Sequence, residues 1–208
     1  PVTAERMNIA LQDNGQTSAA DLHLEANESA FIVFSNEQET GLTDYSPTER
    51  ETLLTIDTPW KVDFQKGMRG PDETYVMTEL QTWDKNEDER IRYFSGTATY
   101  TNTFKLKKQP DQPVWIDLGR VMVMARVYVN NQYAGGVWTS PYRLNIQHLL
   151  HKGTNTLRVE VVNNWQNRLI GDQKLPENER PTWTSVNPWR ADSPLQESGL
   201  VGPVRLLQ

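Results

Sequence analysis

The sequence contains no cysteine among its 208 residues. Disulfide bridges, thiolate metal sites and a cysteine nucleophile are therefore excluded, although the compartment stays open because periplasmic proteins can also lack cysteine. No apolar run approaches the ~18 residues that a membrane-spanning helix needs, so we expect no membrane partner. The first ten residues lack the charged and apolar regions of a signal peptide, and the chain opens on Pro1 rather than methionine. We therefore expect a piece of a longer protein, whose missing part would carry any signal.

An excess of positive charge is also missing. The formal net charge is −6 and the isoelectric point about 5.2, whereas nucleic-acid binding needs clustered Lys and Arg that displace counterions. The basic run KLKK at 105–108 precedes a QPDQP turn and is interpreted as the end of a strand. The sequence therefore argues against a nucleic-acid partner.

Motifs of catalysis are scarce as well. The sequence has neither the G-x-S-x-G pattern of a serine nucleophile nor a glycine-rich phosphate loop before a long helix. His148 and His151 have a spacing that metal ligands use, but they border Leu149 and Leu150 and no third ligand is evident nearby. From these patterns we assign no catalytic residue and no metal ligand.

What the sequence does contain is a series of short β-rich runs separated by turn residues. Such runs cover 7–12, 53–65, 96–106, 114–119, 121–138, 157–164 and 202–208. Residues 21–36 predict two further strands hinged at 26–28, and Asn130–Asn131 can adopt the positive φ of a hairpin turn. Helical periodicity is convincing only at 145–153, where Gly153 ends the pattern. Many short strands at regular spacing predict an all-β fold, a jelly-roll β-sandwich.

The polar stretch NEQETGLTDYSPTER has no period and contains Gly and Pro, which indicates a linker. We therefore predict strands of one β-domain at 1–36, a linker at 37–51 and the jelly-roll domain at 52–208. The apolar side chains of the leading strands would form a large exposed patch if they were left uncovered, so we expect a cover for them.

Several motifs occur in a familiar order. They are IRYFSGTATYTNTFKL, VWIDLGRVMVMARVYVNNQYAGGVWTSPYRLNI, GTNTLRVEVVNN and SGLVGPVRLL. In this order they resemble the sugar-binding, galactose-binding-like jelly roll of family 2 glycoside hydrolases. They look closer still to the C-terminal domain of family 106 α-L-rhamnosidases.

This resemblance implies an accessory domain of a hydrolase whose catalytic carboxylates lie on a missing barrel domain of the same chain. It implies a carbohydrate partner, a plant-type or microbial polysaccharide or oligosaccharide, and a periplasmic or secreted protein. Residues 1–36 would be the closing strands of a preceding β-sandwich. Related jelly rolls often carry a structural calcium, for which we assign no residues; no other cofactor is expected. Two alternatives stay open, a self-sufficient carbohydrate-binding module and a purely structural interdomain-packing domain.

A cluster of amides around one tryptophan follows the strand TLRVEVVNN. The alternation in this strand predicts that Leu157, Val159 and Val161 are buried on one face. Amides can both donate to and accept from a hydroxyl, as a neutral polyol requires, and an indole can cover the apolar face of a sugar ring. The candidate residues are Asn163, Asn164, Trp165, Asn167, Arg168 and Asp172. The resemblance implies that Asn163 or Asn164 lies toward the catalytic pocket. Alternatively, the amides cap exposed backbone groups and Trp165 closes the end of the sandwich.

Seven tryptophans are many for a chain of this length. Trp115 alternates within VWIDL and is predicted to lie in the core, whereas Trp138 comes just after a strand and joins the candidates. Trp183, Trp189 and Arg190 lie in the long irregular stretch PENERPTWTSVNPWRADSPLQ. A loop this long in a compact domain is usually functional or disordered, and its two tryptophans and Arg190 argue against disorder. It either docks on its own sandwich or on the missing catalytic domain, or it contacts sugar directly.

Overall fold

The computed structural model describes residues 6–35, 40–45 and 50–208. The chain divides into two compact units, Pro1–Arg50 and Glu51–Gln208. The predicted boundaries at 36 and 51, and the assignment of 1–36 to a preceding sandwich, stay predictions; residues 1–5, 36–39 and 46–49 of those predicted segments lie outside the described residues. None of the helices in the described ranges is long and apolar enough to cross a membrane.

The described part of the first unit contains four strands of two residues each. They are β1 (Met7–Asn8), β2 (Gln12–Asp13), β3 (Ser18–Ala19) and β4 (Thr43–Asp44). β1 pairs in parallel with β4, and β2 pairs antiparallel with β3. The side chain of Asn14 closes the β2–β3 turn by accepting from the N–H groups of Gln16 and Thr17.

The prediction of two strands over 21–36 is wrong for the described residues 21–35, which form a turn at 26–27 and no strand. Phe31, Val33 and Phe34 are 83%, 73% and 77% exposed. A strand needs a neighbouring strand to satisfy its backbone groups, and no described strand is paired with this segment. The alternating apolar pattern is present in the sequence, but among the described residues no strand pairs with it.

The second unit, all of which the structure describes, is a β-sandwich. Its strands are β5 (Thr52–Thr55), β6 (Trp60–Phe64), β7 (Tyr75–Met77), β8 (Thr97–Leu106), β9 (Trp115–Asp117), β10 (Arg120–Met122), β11 (Met124–Val129), β12 (Gln132–Val137), β13 (Arg143–Asn145), β14 (Gly153–Val162), β15 (Gly199–Gly202) and β16 (Arg205–Leu207). A six-stranded sheet has the order β12-β11-β14-β8-β6-β7, and a four-stranded sheet has the order β13-β9-β16-β5. β10 and β15 form a short separate ribbon. The all-β, galactose-binding-like prediction is confirmed.

Strand alternation places the core between the two sheets. In β14, Leu157, Val159 and Val161 are fully buried, as the period-2 pattern predicted, while the residues between them face outward. β14 pairs with β8 over ten consecutive residues, from Gly153 opposite Leu106 to Val162 opposite Thr97. This long unbroken register makes the β14–β8 pair the centre of the large sheet.

The predicted hairpin turn at Asn130–Asn131 is also confirmed. Both residues have positive φ, 51° and 65°, and β11 pairs antiparallel with β12 on either side of them. A two-residue turn with two positive φ values matches the twist of the flanking strands. The Asn130 side chain adds bonds to the Leu149 carbonyl and to Asn155 Oδ1, each 2.8 Å long.

The helix predicted at 145–153 shortens to a single 3-10 turn, Gln147–Leu149. The buried Asn155 side chain accepts from the His151 N–H and donates to the His151 carbonyl, which draws those backbone groups away from a helix. The α-helices are α1 (Glu89–Arg92) and α2 (Gln166–Asp172), and further 3-10 turns lie at Trp83–Lys85 and Glu177–Glu179.

The prediction that Trp115 lies in the core is wrong. The core position in this strand belongs to Ile116, which is fully buried, while Trp115 is half-buried on the opposite face. Trp83 is fully buried instead, and its Nε1–H donates to the Tyr100 hydroxyl over 2.6 Å. Burial raises the pKa of Tyr100, against the lowering effect of the hydrogen bonds from Leu200 and Trp83.

Candidate functional site at the strand ends

Strand pairing brings the candidate residues to one end of the large sheet. β14 runs antiparallel to β8 and β11, with Val162 opposite Thr97 and Met124. The chain therefore leaves β14 at the end where it enters β8 and β11. β12 also finishes there, because it is antiparallel to β11. Residues 163–172 and Trp138, which follow β14 and β12, consequently share this end.

Asn163 and Asn164 are engaged in contacts within the domain. Asn163 Oδ1 accepts from the Gly96 N–H over 3.0 Å, and its Nδ2 donates to the Phe94 carbonyl over 2.8 Å. Asn164 Oδ1 accepts from the Gln166 N–H at the start of α2, and its Nδ2 donates to the Gln196 side chain over 2.6 Å. Both amides thus satisfy neighbouring groups, and Asn163 in particular joins the end of β14 to the start of β8.

Asn167 is 2% exposed and faces the returning chain. Its Nδ2 donates to the Gln196 carbonyl over 2.7 Å, and its Oδ1 accepts from the Gln196 N–H over 2.8 Å. A longer contact of 3.4 Å reaches the Ser198 hydroxyl. Because the amide pairs with both backbone groups of one residue, it holds α2 and residue 196 in a defined register.

Arg168 and Asp172 form an i,i+4 ion pair on α2, with 3.7 Å between Nη1 and Oδ1. Asp172 is 2% exposed, and its other oxygen accepts from the N–H and the hydroxyl of Thr182. Burial lowers the pKa of Arg168, and nearby Arg69 acts in the same direction, while Asp172 opposes both. The pair therefore fixes residue 182 to the helix.

The packing of α2 against the sandwich requires a glycine. A Cβ on Gly171 would lie 2.7 Å from Cγ of Tyr93, a distance that no relaxed side chain tolerates. The Tyr93 hydroxyl in turn contacts the Lys174 ammonium. The helix, the Asn167 contacts and the Asp172 contacts together fix the base of the connection between α2 and β15, here called the 173–198 loop.

Unlike the amides, most of the aromatic candidates face solvent. Trp165 is 51% exposed, Trp138 59% and Trp183 87%, and Val186 beside Trp183 is 75% exposed. Trp189 is half-buried and Arg190 is exposed, with backbone N–H groups that donate to Asn187 Oδ1 and Ser193 Oγ. The amides, Arg168 and Asp172 therefore make contacts within the protein, while Trp138, Trp165 and Trp183 face solvent; Trp189 and Arg190 lie between these two groups.

Sequence reasoning missed a shallow depression of about 510 Å³ beside α2. Its lining includes Asp84, Lys85, Arg92, Tyr93, Lys174 and Asp192. The charged stretch DKNEDER signalled polarity but gave no spacing that would assemble these side chains. Arg92 donates to the backbone carbonyls of Asn86 and Glu87, so it shapes the segment that precedes β8.

The side chains gathered at this end are amides that bind protein groups and indoles that face solvent. Among residues 6–35, 40–45 and 50–208, no group of three or more His, Cys, Asp or Glu side chains could hold a metal ion. The amides that could meet a ligand already bind protein groups. The indoles of Trp138, Trp165 and Trp183 are exposed to solvent.

Comparison with known proteins identifies the fold of the second unit. The family model "Glycosyl hydrolase 2 galactose-binding domain-like" matches residues 75–194, more than half of the chain. A putative β-glucuronidase of Formosa agariphila is 36% identical in an alignment 154 residues long, and the match covers 62% of this chain and 13% of that protein.

Solved structures agree. The rhamnosidase from Novosphingobium sp. PP1Y has a TM-score of 0.84 and 38% identity, and the match covers 96% of this chain and 19% of the rhamnosidase. A β-glucuronidase from Ruminococcus gnavus, solved with D-glucuronic acid, has a TM-score of 0.55 at 18% identity, with 80% of this chain and 30% of that chain covered. The second match shows the fold alone. The resemblance inferred from the sequence motifs is confirmed, and the chain spans a small part of each relative's length.

Proposed function

This chain belongs to the glycosyl hydrolase 2 galactose-binding domain-like family, and we propose that it serves as a non-catalytic accessory domain of a glycoside hydrolase. In that role it packs against the catalytic domain of a longer polypeptide. One observation carries the proposal: the 173–198 loop is anchored by buried polar contacts at its base, while Trp183 and Val186 are 87% and 75% exposed.

Anchoring and exposure together favour an interface. Ordering a loop of this length costs conformational entropy, and the contacts of Asn167 and Asp172 offset that cost without burying Trp183. Large apolar side chains grouped at the surface commonly mark contact sites. The rhamnosidase relative extends well beyond the matched part, which is 19% of its chain. A neighbouring domain of the same polypeptide is thus the partner that we propose for this loop.

The test uses a full-length enzyme that carries this domain. Trp183→Ala should lower the melting temperature and the activity of the full-length enzyme but leave the melting of the isolated chain unchanged. Val76→Ala is the matched control, because Val76 is a 57% exposed apolar residue at the far edge of the large sheet. Equal effects of Trp183→Ala in both proteins, or no effect in either, would count against the interface.

A second function is that the residues following β14, here called the lip (163–172), contribute to the sugar site. The 51% exposure of Trp165 beside the strand end favours it. Asn164→Ala and Trp165→Ala in the full-length enzyme distinguish a lip that contacts the sugar from a lip that only stabilises the fold. If the lip serves the sugar site, melting stays intact and transition-state binding weakens by ~1–3 kcal/mol, the scale of a lost hydrogen bond to a buried partner. If the lip is structural, melting falls and kcat/KM per folded enzyme is unchanged.

The isolated chain is proposed to hydrolyse neither aryl rhamnosides nor aryl galactosides. Glycoside hydrolysis needs two carboxylates about 5–10 Å apart across the scissile bond, and no motif in this chain marks such a pair. The assay is release of the aryl group at high protein concentration. Turnover above background that a single Asp or Glu substitution abolishes would overturn this proposal.

A further inference from the structure

A groove of about 270 Å³ lies on the outer face of the large sheet, on the edge strand β12, its neighbour β11 and the end of β14. The register pairs Arg126 of β11 with Gly136 of β12, and Met124 of β11 with Val162 of β14. Trp138, Met124 and Val162 form its apolar wall and Gly136 its floor, and Arg126 lies at its rim, since the lining itself is almost entirely apolar. All of these residues belong to the second unit, and none is needed for the interface proposed above.

The apolar wall is unusual for its position. Trp138 is 59% exposed and Met124 is 47% exposed, although outward positions of the neighbouring β8 are threonines. Gly136 adds no side chain to the floor, and the Tyr133 hydroxyl lies 3.4 Å from the position that its Cβ would take. An exposed indole beside this floor offers a surface for the C–H face of a pyranose ring, and its rim leaves room for the ring's hydroxyls.

Charge at the rim of the groove narrows the ligand class. Two arginines share one carboxylate: Glu160 pairs with Arg126 over 3.2 Å and also with Arg158. Arg158 is further held 3.6 Å above the Tyr128 ring. Because a guanidinium has five N–H donors, Arg126 keeps donors beyond its contact with Glu160, and its side chain is 56% exposed. The cluster has one positive charge in excess on a chain whose net charge is −6.

We propose that this groove binds one anionic saccharide residue, with the ring on Trp138 and a carboxylate or sulfate at Arg126. Diagonal neighbours on adjacent strands lie about 7–8 Å apart, a separation that a pyranose with a charged substituent spans. A volume of about 270 Å³ suits a single ring, because ligand pockets for larger molecules begin near ~300 Å³. Arginine pairs well with planar carboxylates and with sulfate-like oxyanions.

The experiment is a calorimetric titration of the 208-residue chain with three disaccharides: digalacturonate, a sulfated galactose disaccharide and neutral digalactose. At least one anionic sugar should bind at least tenfold more tightly than the neutral one. Trp138→Ala and Arg126→Gln should each weaken that binding at least tenfold. Raising NaCl from 0.1 to 0.5 M should also weaken it, since salt screens an exposed charge pair.

Two variants serve as matched controls. Trp183→Ala removes another exposed tryptophan, and Lys61→Gln removes a cation from the same outer face three strands away from β11; both should leave binding within twofold. Circular dichroism checks that each variant folds. Binding of one anionic class alone identifies the substituent and supports the site. No binding of either anionic sugar, equal binding of the neutral one, or equal effects of test and control variants overturns the proposal.

Discussion

Replacing Asn167 by alanine tests whether buried amide contacts, rather than the helix itself, hold the 173–198 loop in place. The substitution removes two good hydrogen bonds to the backbone of Gln196, of 2.7 and 2.8 Å. It leaves a backbone N–H and a backbone carbonyl without that partner. Each orphaned group costs ~1–3 kcal/mol when buried.

The size of the stability loss depends on how exposed Gln196, the partner of Asn167, is to water. Gln196 itself is exposed, so water can replace part of what is lost and the low end of the range applies to each group. We therefore expect Asn167→Ala to lower the free energy of unfolding by about 2–3 kcal/mol. For a domain of this size that corresponds to a fall in melting temperature of roughly 4–12 °C.

The assay is thermal and urea unfolding of the 208-residue chain, with limited proteolysis as a local probe. Cleavage between residues 173 and 195 should accelerate in Asn167→Ala. Gln196→Ala is the matched control: it keeps the backbone groups that Asn167 contacts and removes only the exposed side-chain bond between Gln196 and Asn164. Asn178→Ala, at an exposed position of the same loop, should shift stability by less than ~0.5 kcal/mol. If Asn167→Ala behaves like these two controls, the reasoning is refuted.

Two further predictions concern the core. Tyr100→Phe leaves the Trp83 Nε1–H and the Leu200 N–H without their acceptor, so it should cost ~1–3 kcal/mol at pH 7 in urea unfolding. Burial raises the Tyr100 pKa above its ordinary value of 10.0, so as pH rises the unfolded state loses this proton first, and the free energy of unfolding should decline above about pH 10. In Tyr100→Phe the free energy of unfolding should decline less steeply with pH. Parallel pH curves of the two proteins would contradict this expectation. Gly199→Ala should prevent stable folding, since a Cβ there would lie 2.5 Å from Trp83 Nε1. Gly67→Ala is the control: Gly67 also has positive φ but nothing within 4 Å of a Cβ, so this change should cost only the ~1–2 kcal/mol of backbone strain. Similar melting temperatures of the two variants would show that the clash is relieved.

Local patterns in the sequence were enough to predict the sandwich. Period-2 alternation is a property of neighbouring residues, so Leu157, Val159 and Val161 could be assigned to the core before their partners were known. The turn at Asn130–Asn131 is equally local, because positive φ is a preference of the residue itself. The order of motifs added the family, which the comparisons confirmed.

Local patterns gave wrong predictions in two situations. In one, both faces of a strand carried large apolar residues; in the other, an alternating run had no strand to pair with. Trp115 and Ile116 are both apolar and lie on opposite faces of the same strand, so only the position of the other sheet decides which of them is buried. The run around Phe31 reads as a strand, yet a strand exists only if another strand pairs with it. The missed helix α2 depends similarly on packing, since its seven residues are too few to be stable alone.

By itself, then, the sequence determined the β-sandwich, its central strands and the family, because these follow from properties shared by adjacent residues. Only the tertiary structure decided what the amides at the strand end do. Asn167 reaches a backbone 29 residues further along the chain, and Asn163 reaches one 69 residues earlier. An amide carries the same donor and acceptor whether it faces a sugar or a neighbouring loop. Its role is therefore set by which groups the folded chain brings within 3 Å of it, and that depends on contacts between distant segments.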